Sequence, residues 1–237
     1  LPAHLIEKHQ IQVVPSILIL EGKEYADGIG ISREDFYTRL PSLQTKVTTA
    51  APSIGNFLTP YQTLFSQGCD HIISIHAASQ LTTILNSARQ AAQEFGDKVT
   101  IIDSGSLSMG LGFQVLSAVE KIESGLQSAI EAVESTKQKL KVIAALDTME
   151  YLKRSGRVPA VVANLGGMLS IKPMVEIKNG EVKPVGVART TKQNDERLLN
   201  LLLEVREMER LAILHTNAET RAKKLLGEVM KKITIPQ

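Results

Sequence analysis

The chain has 237 residues, a net charge of +2 and 43% hydrophobic residues, enough for one large or two modest domains with real cores. Near-neutral charge, four tyrosines, five phenylalanines and no tryptophan exclude a protein that binds nucleic acid by charge and stacking. A single cysteine, Cys69, excludes an internal disulfide, and no apolar run approaches the roughly 18 residues of a membrane helix, so a cytoplasmic protein without stable membrane insertion is expected.

Leu1 to His9 predicts a helix, and Ile11 to Leu20 a β-rich run broken by Pro15. Ser32-Arg33-Glu34-Asp35 predicts a capped helix start. Val47 to Phe57 carries Thr48, Thr49 and Pro52 into a helix whose apolar face is Ile54, Phe57, Leu58, Tyr61, Leu64 and Phe65, with Pro60 expected to kink it. Cys69, just before the next strand and without an activating base, reads as a packed thiol. Ile72 to Ile75 is a short apolar strand. It leads through a polar loop, His76 to Gln80, to a helix marked by Leu81, Ile84, Leu85, Ala88, Ala92 and Phe95, with Ser79 at the N-cap position. A third entry runs from strand Val99–Asp103 through SGSLSMGLG into a helix ending near Glu123. Three successive strand-to-helix units predict a parallel sheet covered by helices, with its site at the carboxyl ends of the strands.

Gly125 separates two helices, the second ending near Leu140. Val142 to Leu146 predicts a strand, and Asn179-Gly180 between two β-like runs predicts a hairpin. A long helix over about Lys192 to Glu209, a strand Leu211 to His215, a helix Ala218 to Lys231 and a β-like run Ile233 to Ile235 follow. Lys223, Lys224, Lys231 and Lys232 read as a solvated face. The fold class is therefore α/β, in two domains: 1–140 with a mostly parallel sheet and flanking helices, and 141–237 with a mixed sheet and helices.

The strand–loop–helix around Ser79, Thr82 and Thr83 can hold an anion, because the first N–H groups of a helix lack partners and its dipole is positive there. The same residues also fit an ordinary capped turn. Arg157, after Gly156, can clamp a carboxylate with paired N–H bonds or serve as a surface charge. The five histidines form no metal-ligand pair, and His76 and His215 read as strand-end residues. Asp103 and Asp147 could hold Mg²⁺ for a phosphotransferase acting on a small hydroxylated substrate, or cap the turns that follow them. There is no Walker loop and no hydrolase elbow, and no catalytic residue or cofactor is nominated.

Taken together, these segments resemble the DegV family of bacterial fatty-acid-binding proteins. Thr49-Ala50-Ala51-Pro52-Ser53 is similar to the family's Thr-Ser-Gln-Pro-Ser box, and Ala78-Ser79-Gln80-Leu81-Thr82-Thr83-Ile84 to Ser-Ser-x-Leu-Ser-Gly-Thr. Leu152-Lys153-Arg154-Ser155-Gly156-Arg157 resembles Leu-Lys-Lys-Gly-Gly-Arg, and Leu169-Ser170-Ile171-Lys172-Pro173 resembles Leu-x-Ile-Lys-Pro. The resemblance implies a long-chain fatty acid held between the two domains. Its carboxylate would lie on the hydroxyls of Thr49 and Ser79, with Thr82 and Thr83 beside them and Arg157 near the head group. It also implies a carrier, not an enzyme, that presents the fatty acid to a separate kinase for acyl-phosphate formation in phospholipid synthesis. The competing phosphotransferase reading is related to dihydroxyacetone kinases. Ala78 in place of a serine, and Thr83-Ile84 in place of Gly-Thr, remove a hydroxyl and a flexible glycine near the head group. The family's first strand and its C-terminal histidine box are not matched, and both chain ends are expected to be incomplete.

Overall fold

The computed structural model of the chain describes residues 1–165, 170–205 and 207–233. It contains two compact units that are not contiguous in sequence. Unit 1 comprises Leu1–Ser32, Leu43–Val142 and Ile177–Glu181, and unit 2 comprises Arg33–Ser42, Ile143–Glu176 and Val182–Gln237.

Unit 1 opens with helix α1 (Ala3–Lys8), followed by the hairpin β1 (Ile17–Leu20) and β2 (Lys23–Ala26). Glu21 and Gly22 both take positive φ to make its two-residue turn. Strand β3 (Thr48–Ala50) pairs antiparallel with β1 on its other side, Leu18 facing Thr49. The expected strand over Ile11–Leu20 is reduced to its last four residues, beyond Pro15, which has no N–H to give a ladder.

Ser53 caps helix α3 (Ile54–Ser66) by a reciprocal pair with Asn56. The Ser53 N–H donates to Asn56 Oδ1 at 2.9 Å, and the Asn56 N–H donates to Ser53 Oγ at 3.4 Å. Strand β4 (Ile72–His76) then pairs in parallel with β5 (Val99–Asp103), in a register that sets Ile72 beside Val99 and His76 beside Asp103. Helix α4 (Ile84–Ala92) connects them, and α5 (Ser108–Lys121) and α6 (Leu126–Lys139) follow.

Both faces of the parallel pair are covered, which is why its strands read as nearly unbroken apolar runs. One face, Ile72, Val99 and Ile101, packs on Phe57 and Tyr61 of α3 and on Ala88, Ala91 and Ala92 of α4. Ile73, Ile75 and Ile102 belong to a separate core with Ala118 of α5 and with Ala129 and Val133 of α6. The α/β expectation holds, but the strands of this unit divide between two sheets. Only two of the three strand-to-helix units share a parallel sheet, because β3 pairs with β1 instead.

Strand β6 (Val142–Ala145) begins at the boundary of the units and heads the sheet β6-β7-β8, with β7 (Lys172–Lys178) and β8 (Glu181–Ala188). Asn179 and Gly180, with φ of 52° and 79°, form the expected hairpin turn. Helices α7 (Glu150–Ser155) and α8 (Pro159–Leu165) place Leu152, Val161 and Leu165 in a core with Met149, Ile171 and Val175. Helix α2 (Arg33–Arg39) belongs to this unit, and α9 (Thr191–Leu203) and α10 (Glu219–Met230) complete it.

Helix α9 stops at Leu203, six residues before the expected end, where the Val205 N–H closes a tighter turn on Leu202 O. The expected strand Leu211–His215 does not form. Among the described residues no strand pairs with it, and β-propensity without a ladder makes no strand. Of the run Ile233–Ile235, Ile233 is not in a strand and the rest lies outside the described residues. Cys69 is exposed, not packed.

Candidate functional site

The loop from β4 to α4 is built around Ala78, which is fully buried. Its N–H donates to Ser106 O at 2.8 Å, and its carbonyl accepts from the Leu81 and Thr82 N–H groups at 2.9 and 3.2 Å. The loop is therefore tied to the one that follows β5. The turn delays α4, which starts at Ile84 with Thr83, not Ser79, at its N-cap position. Thr83 is exposed and gives no side-chain cap, while Thr82 Oγ1 accepts from the Ile84 N–H at 3.4 Å.

Ser79 is exposed and turned toward Asp103 at the end of β5. Its hydroxyl donates to Asp103 Oδ2 at 2.5 Å, and its N–H lies 3.3 Å from each carboxylate oxygen. The Gly105 N–H donates to Oδ1 at 2.9 Å, and Lys137 Nζ of α6 donates to the Asp103 carbonyl at 2.8 Å. Partial burial works to raise the Asp103 pKa. The hydrogen bonds from Ser79 and Gly105 and the charge of Lys137 outweigh it, so the carboxyl is held below its ordinary value.

Beneath the loop lies a polar interior. Ser104, Ser106 and Gln114 are buried. Gln114 Nε2 donates to Ser104 O at 3.0 Å and to Gly110 O at 3.2 Å. Gly110 is a glycine of necessity, since a Cβ there would overlap Ser106 Oγ and stand 2.7 Å from Val142 Cγ2. The hairpin tip closes over the same place: the Gly180 N–H donates to Gly105 O at 2.6 Å. Ser104, Gly105, Ser106, Lys137, Lys178 and Asn179 line a small recess there.

On the other face of the parallel pair, Tyr61 Oη, Ser74 Oγ and His76 Nε2 form a chain with links of 2.7 and 2.8 Å. Phe57 meets the His76 ring edge-on at 5.5 Å. Burial pushes the His76 imidazole down to about 4, against the opposing pull of Asp103. His76 is thus a neutral, satisfied interior residue at neutral pH.

Of the five residues nominated from the sequence, Ser79, Thr82 and Thr83 share one loop of unit 1. Thr49 lies exposed in β3 of the same unit, just before the capped start of α3. The helices that follow Thr49 and Ser79, α3 and α4, pack in one core. Arg157 belongs to unit 2, exposed after Gly156, which ends α7 in the left-handed conformation with φ of 67°. The Arg157 N–H donates to Ser155 Oγ at 3.2 Å.

Asp103, read from the sequence as a magnesium ligand or as a cap on the turn after it, caps that turn through the Gly105 N–H, and what the sequence reading missed is its links to Ser79 and Lys137. The available signal was a strand-end aspartate followed by Ser-Gly-Ser, a pattern that turns the chain back on its own carboxylate. Asp147, the other proposed magnesium ligand, is paired within unit 2 to Arg221 at 2.6 Å and to Lys172 at 3.4 Å. Both aspartates are already engaged by donors of the chain. Among the described residues no group of three or more His, Cys, Asp or Glu side chains could hold a metal ion, and no helix is long and apolar enough to cross a membrane.

The family model described as "Uncharacterised protein, DegV family" matches residues 1–236. A DegV domain-containing protein of Staphylococcus aureus (strain COL) is 30% identical over 217 residues, covering 90% of this chain and 77% of that protein. Protein DegV of Bacillus subtilis (strain 168) is 29% identical over 240 residues, 98% of this chain and 85% of that protein. Among solved structures, a DegV family protein from Thermus thermophilus, described by its fatty-acid binding, is 31% identical with a TM-score of 0.79, over 87% of this chain and 75% of that one. DegV from Bacillus subtilis, described as a fatty acid binding protein, is 27% identical with a TM-score of 0.84, over 98% of this chain and 84% of that one. The chain belongs to the DegV family.

Proposed function

We propose that this chain binds a long-chain fatty acid in a buried tunnel and presents its carboxyl group to a separate fatty-acid kinase in the cytoplasm, acting as a carrier and not as the phosphotransfer catalyst. The observation that carries the reading is the 31% identity, across 87% of the chain, to the Thermus thermophilus protein described by its fatty-acid binding. Thr49, Ser79, Thr82, Thr83 and Arg157 are the proposed head-group residues.

The energetics favour a tail-driven carrier. A palmitate tail offers about 15 methylene and methyl groups, worth roughly 12 kcal/mol gross at about 0.8 kcal/mol each. Association costs about 4–15 kcal/mol, and each charge-assisted hydrogen bond at the head returns about 1.5–3 kcal/mol before desolvation. The tail therefore supplies most of the affinity, and the loop residues set orientation for transfer.

The test is denaturing extraction of the purified protein followed by mass spectrometry of released lipid. A stoichiometric fatty acid is expected. A protein that is empty as purified, and still empty after incubation with fatty acids, would refute the reading. Kinase coupling is tested separately, by whether the loaded protein supports acyl-phosphate formation when mixed with a fatty-acid kinase and ATP.

A further inference from the structure

We propose that Asp103 is a positioning residue that fixes the polarity of Ser79, so that Ser79 receives a hydrogen bond from the ligand head group instead of giving one. The inference rests on the fatty-acid reading for the ligand, and on this chain's own hydrogen bonds for the chemistry. Ser79 has one hydroxyl proton, and it points at Asp103 Oδ2 at 2.5 Å. An ionised carboxylate can only accept, so the direction of that bond is settled. The Ser79 N–H likewise faces both oxygens of Asp103. The anion accommodated by this loop is the chain's own.

What Ser79 keeps for a ligand is the lone pairs of an exposed oxygen. An ionised carboxylate approaching it meets those lone pairs and, one hydroxyl away, a second negative charge. A protonated carboxyl, a primary amide or an alcohol donates there without conflict. The charged and titratable groups around the pair are Lys137 of α6, which grips the Asp103 carbonyl, and His76 of β4, whose imidazole stays neutral until about pH 4. Lys178, on the hairpin tip, lines the recess beside Lys137. Lys137 favours the ionised form of Asp103 and so reinforces the polarity. Fatty acid should therefore be bound at Ser79 with its proton, taken up from solvent at neutral pH. Arg157 acting alone on the head group would instead favour the ionised acid.

The test is isothermal titration of the delipidated full chain at neutral pH with palmitic acid, palmitamide and methyl palmitate, the acid being titrated in buffers of different ionisation enthalpy. Palmitic acid is expected to take up about one proton per molecule bound, so that its affinity falls about tenfold per pH unit above neutrality. Palmitamide should bind within a few-fold of the acid with no proton uptake, and methyl palmitate, which has no donor, about tenfold more weakly than the amide. In Asp103→Asn the Gly105 N–H still claims Oδ1, so the new NH₂ faces Ser79 and frees its hydroxyl proton for the ligand. That variant should gain affinity for the ester relative to the amide and lose the proton uptake, a gain that misfolding cannot produce. Acid binding without proton uptake in the wild-type chain, or ester binding as tight as the amide, overturns the proposal while leaving the fatty-acid reading intact. Failure of all three ligands to bind overturns both.

Discussion

Between pH 7.5 and 5, acidification should destabilise unit 1 mainly through His76. Its imidazole is 8% exposed, pinned between Ser74 Oγ and the edge of Phe57, and burial lowers its pKa from 6.5 to about 4. Tyr61 Oη, Ser74 Oγ and His76 Nε2 form a hydrogen-bonded chain inside this core, and the neutral ring satisfies its link to Ser74 in either tautomer. The sign follows from which state binds the proton first. Below pH 6.5 the unfolded chain protonates this histidine while the folded one does not. The stabilisation is therefore fully present above 6.5, declines as pH falls, and is gone below about 4. The gap is worth about 3 kcal/mol in total, of which about 2 kcal/mol is lost by pH 5. Asp103 acts lower: its depressed pKa gives stability that is present above the ordinary carboxylate value and lost only as pH falls through the folded one. The assay is urea unfolding at pH 7.5, 6 and 5, followed by far-UV circular dichroism and tyrosine fluorescence, in the wild type and in His76→Gln. Glutamine can accept from Ser74 and does not titrate. The variant should show a flatter pH dependence by about 2 kcal/mol between pH 7.5 and 5. Equal slopes in the two proteins would refute the reasoning.

Two glycine replacements should move stability in opposite directions. Gly110→Ala, which drives a methyl into Ser106 and Val142, should cost about 1–3 kcal/mol, whereas Gly227→Ala, exposed in α10 with nothing within 4 Å of the added carbon, should gain about 0.5–1 kcal/mol, read as urea midpoints. Ser53→Ala removes half of the reciprocal cap on α3 and should cost about 1 kcal/mol in the same assay. Arg221 joins Asp147 and Asp195 through contacts of 2.6 and 2.5 Å, so Arg221→Met should lower unit 2 stability by about 1 kcal/mol, with a smaller loss in high salt.

The secondary structure was legible where local rules act alone. Ile72–His76 and Val99–Asp103 read as strands because both faces are covered, and Asn179-Gly180 read as a turn because both residues must take positive φ. The errors lie where a partner distant in sequence decides. Leu211–His215 has strand composition, but no strand lies beside it among the described residues. Strand β3 precedes a helix just as β4 and β5 do, yet the register of β1 takes it into an antiparallel sheet. Ser79 has the residue type and position of a helix cap. Its proton goes instead to Asp103, 24 residues onward, and the helix waits until Ile84. The loops that carry the proposed head-group residues could thus be located from sequence. The hydrogen-bond direction of Ser79 could not, because it depends on a strand register that no local pattern encodes.

Asp103 shows how that direction is fixed by the fold. The β4–β5 register sets His76 beside Asp103, which brings the loops at the ends of both strands together. The carboxylate then holds Ser79 on one side and the Gly105 N–H on the other, while Lys137 fixes its carbonyl and Gly105 O receives the hairpin tip. Three separate pieces of chain, the Ser79 loop, helix α6 and the 177–181 turn, are thereby anchored through Asp103 and the residue two positions after it. A loop tied only by its own turn would let Ser79 rotate and donate to whatever arrives. Tied to a charged acceptor, it cannot do so without breaking a charge-assisted bond, whose replacement by a ligand carboxylate would bring no net gain. On the proposal that Ser79 meets the head group, the selectivity there is set by the chain's own anion, Asp103, before any ligand enters.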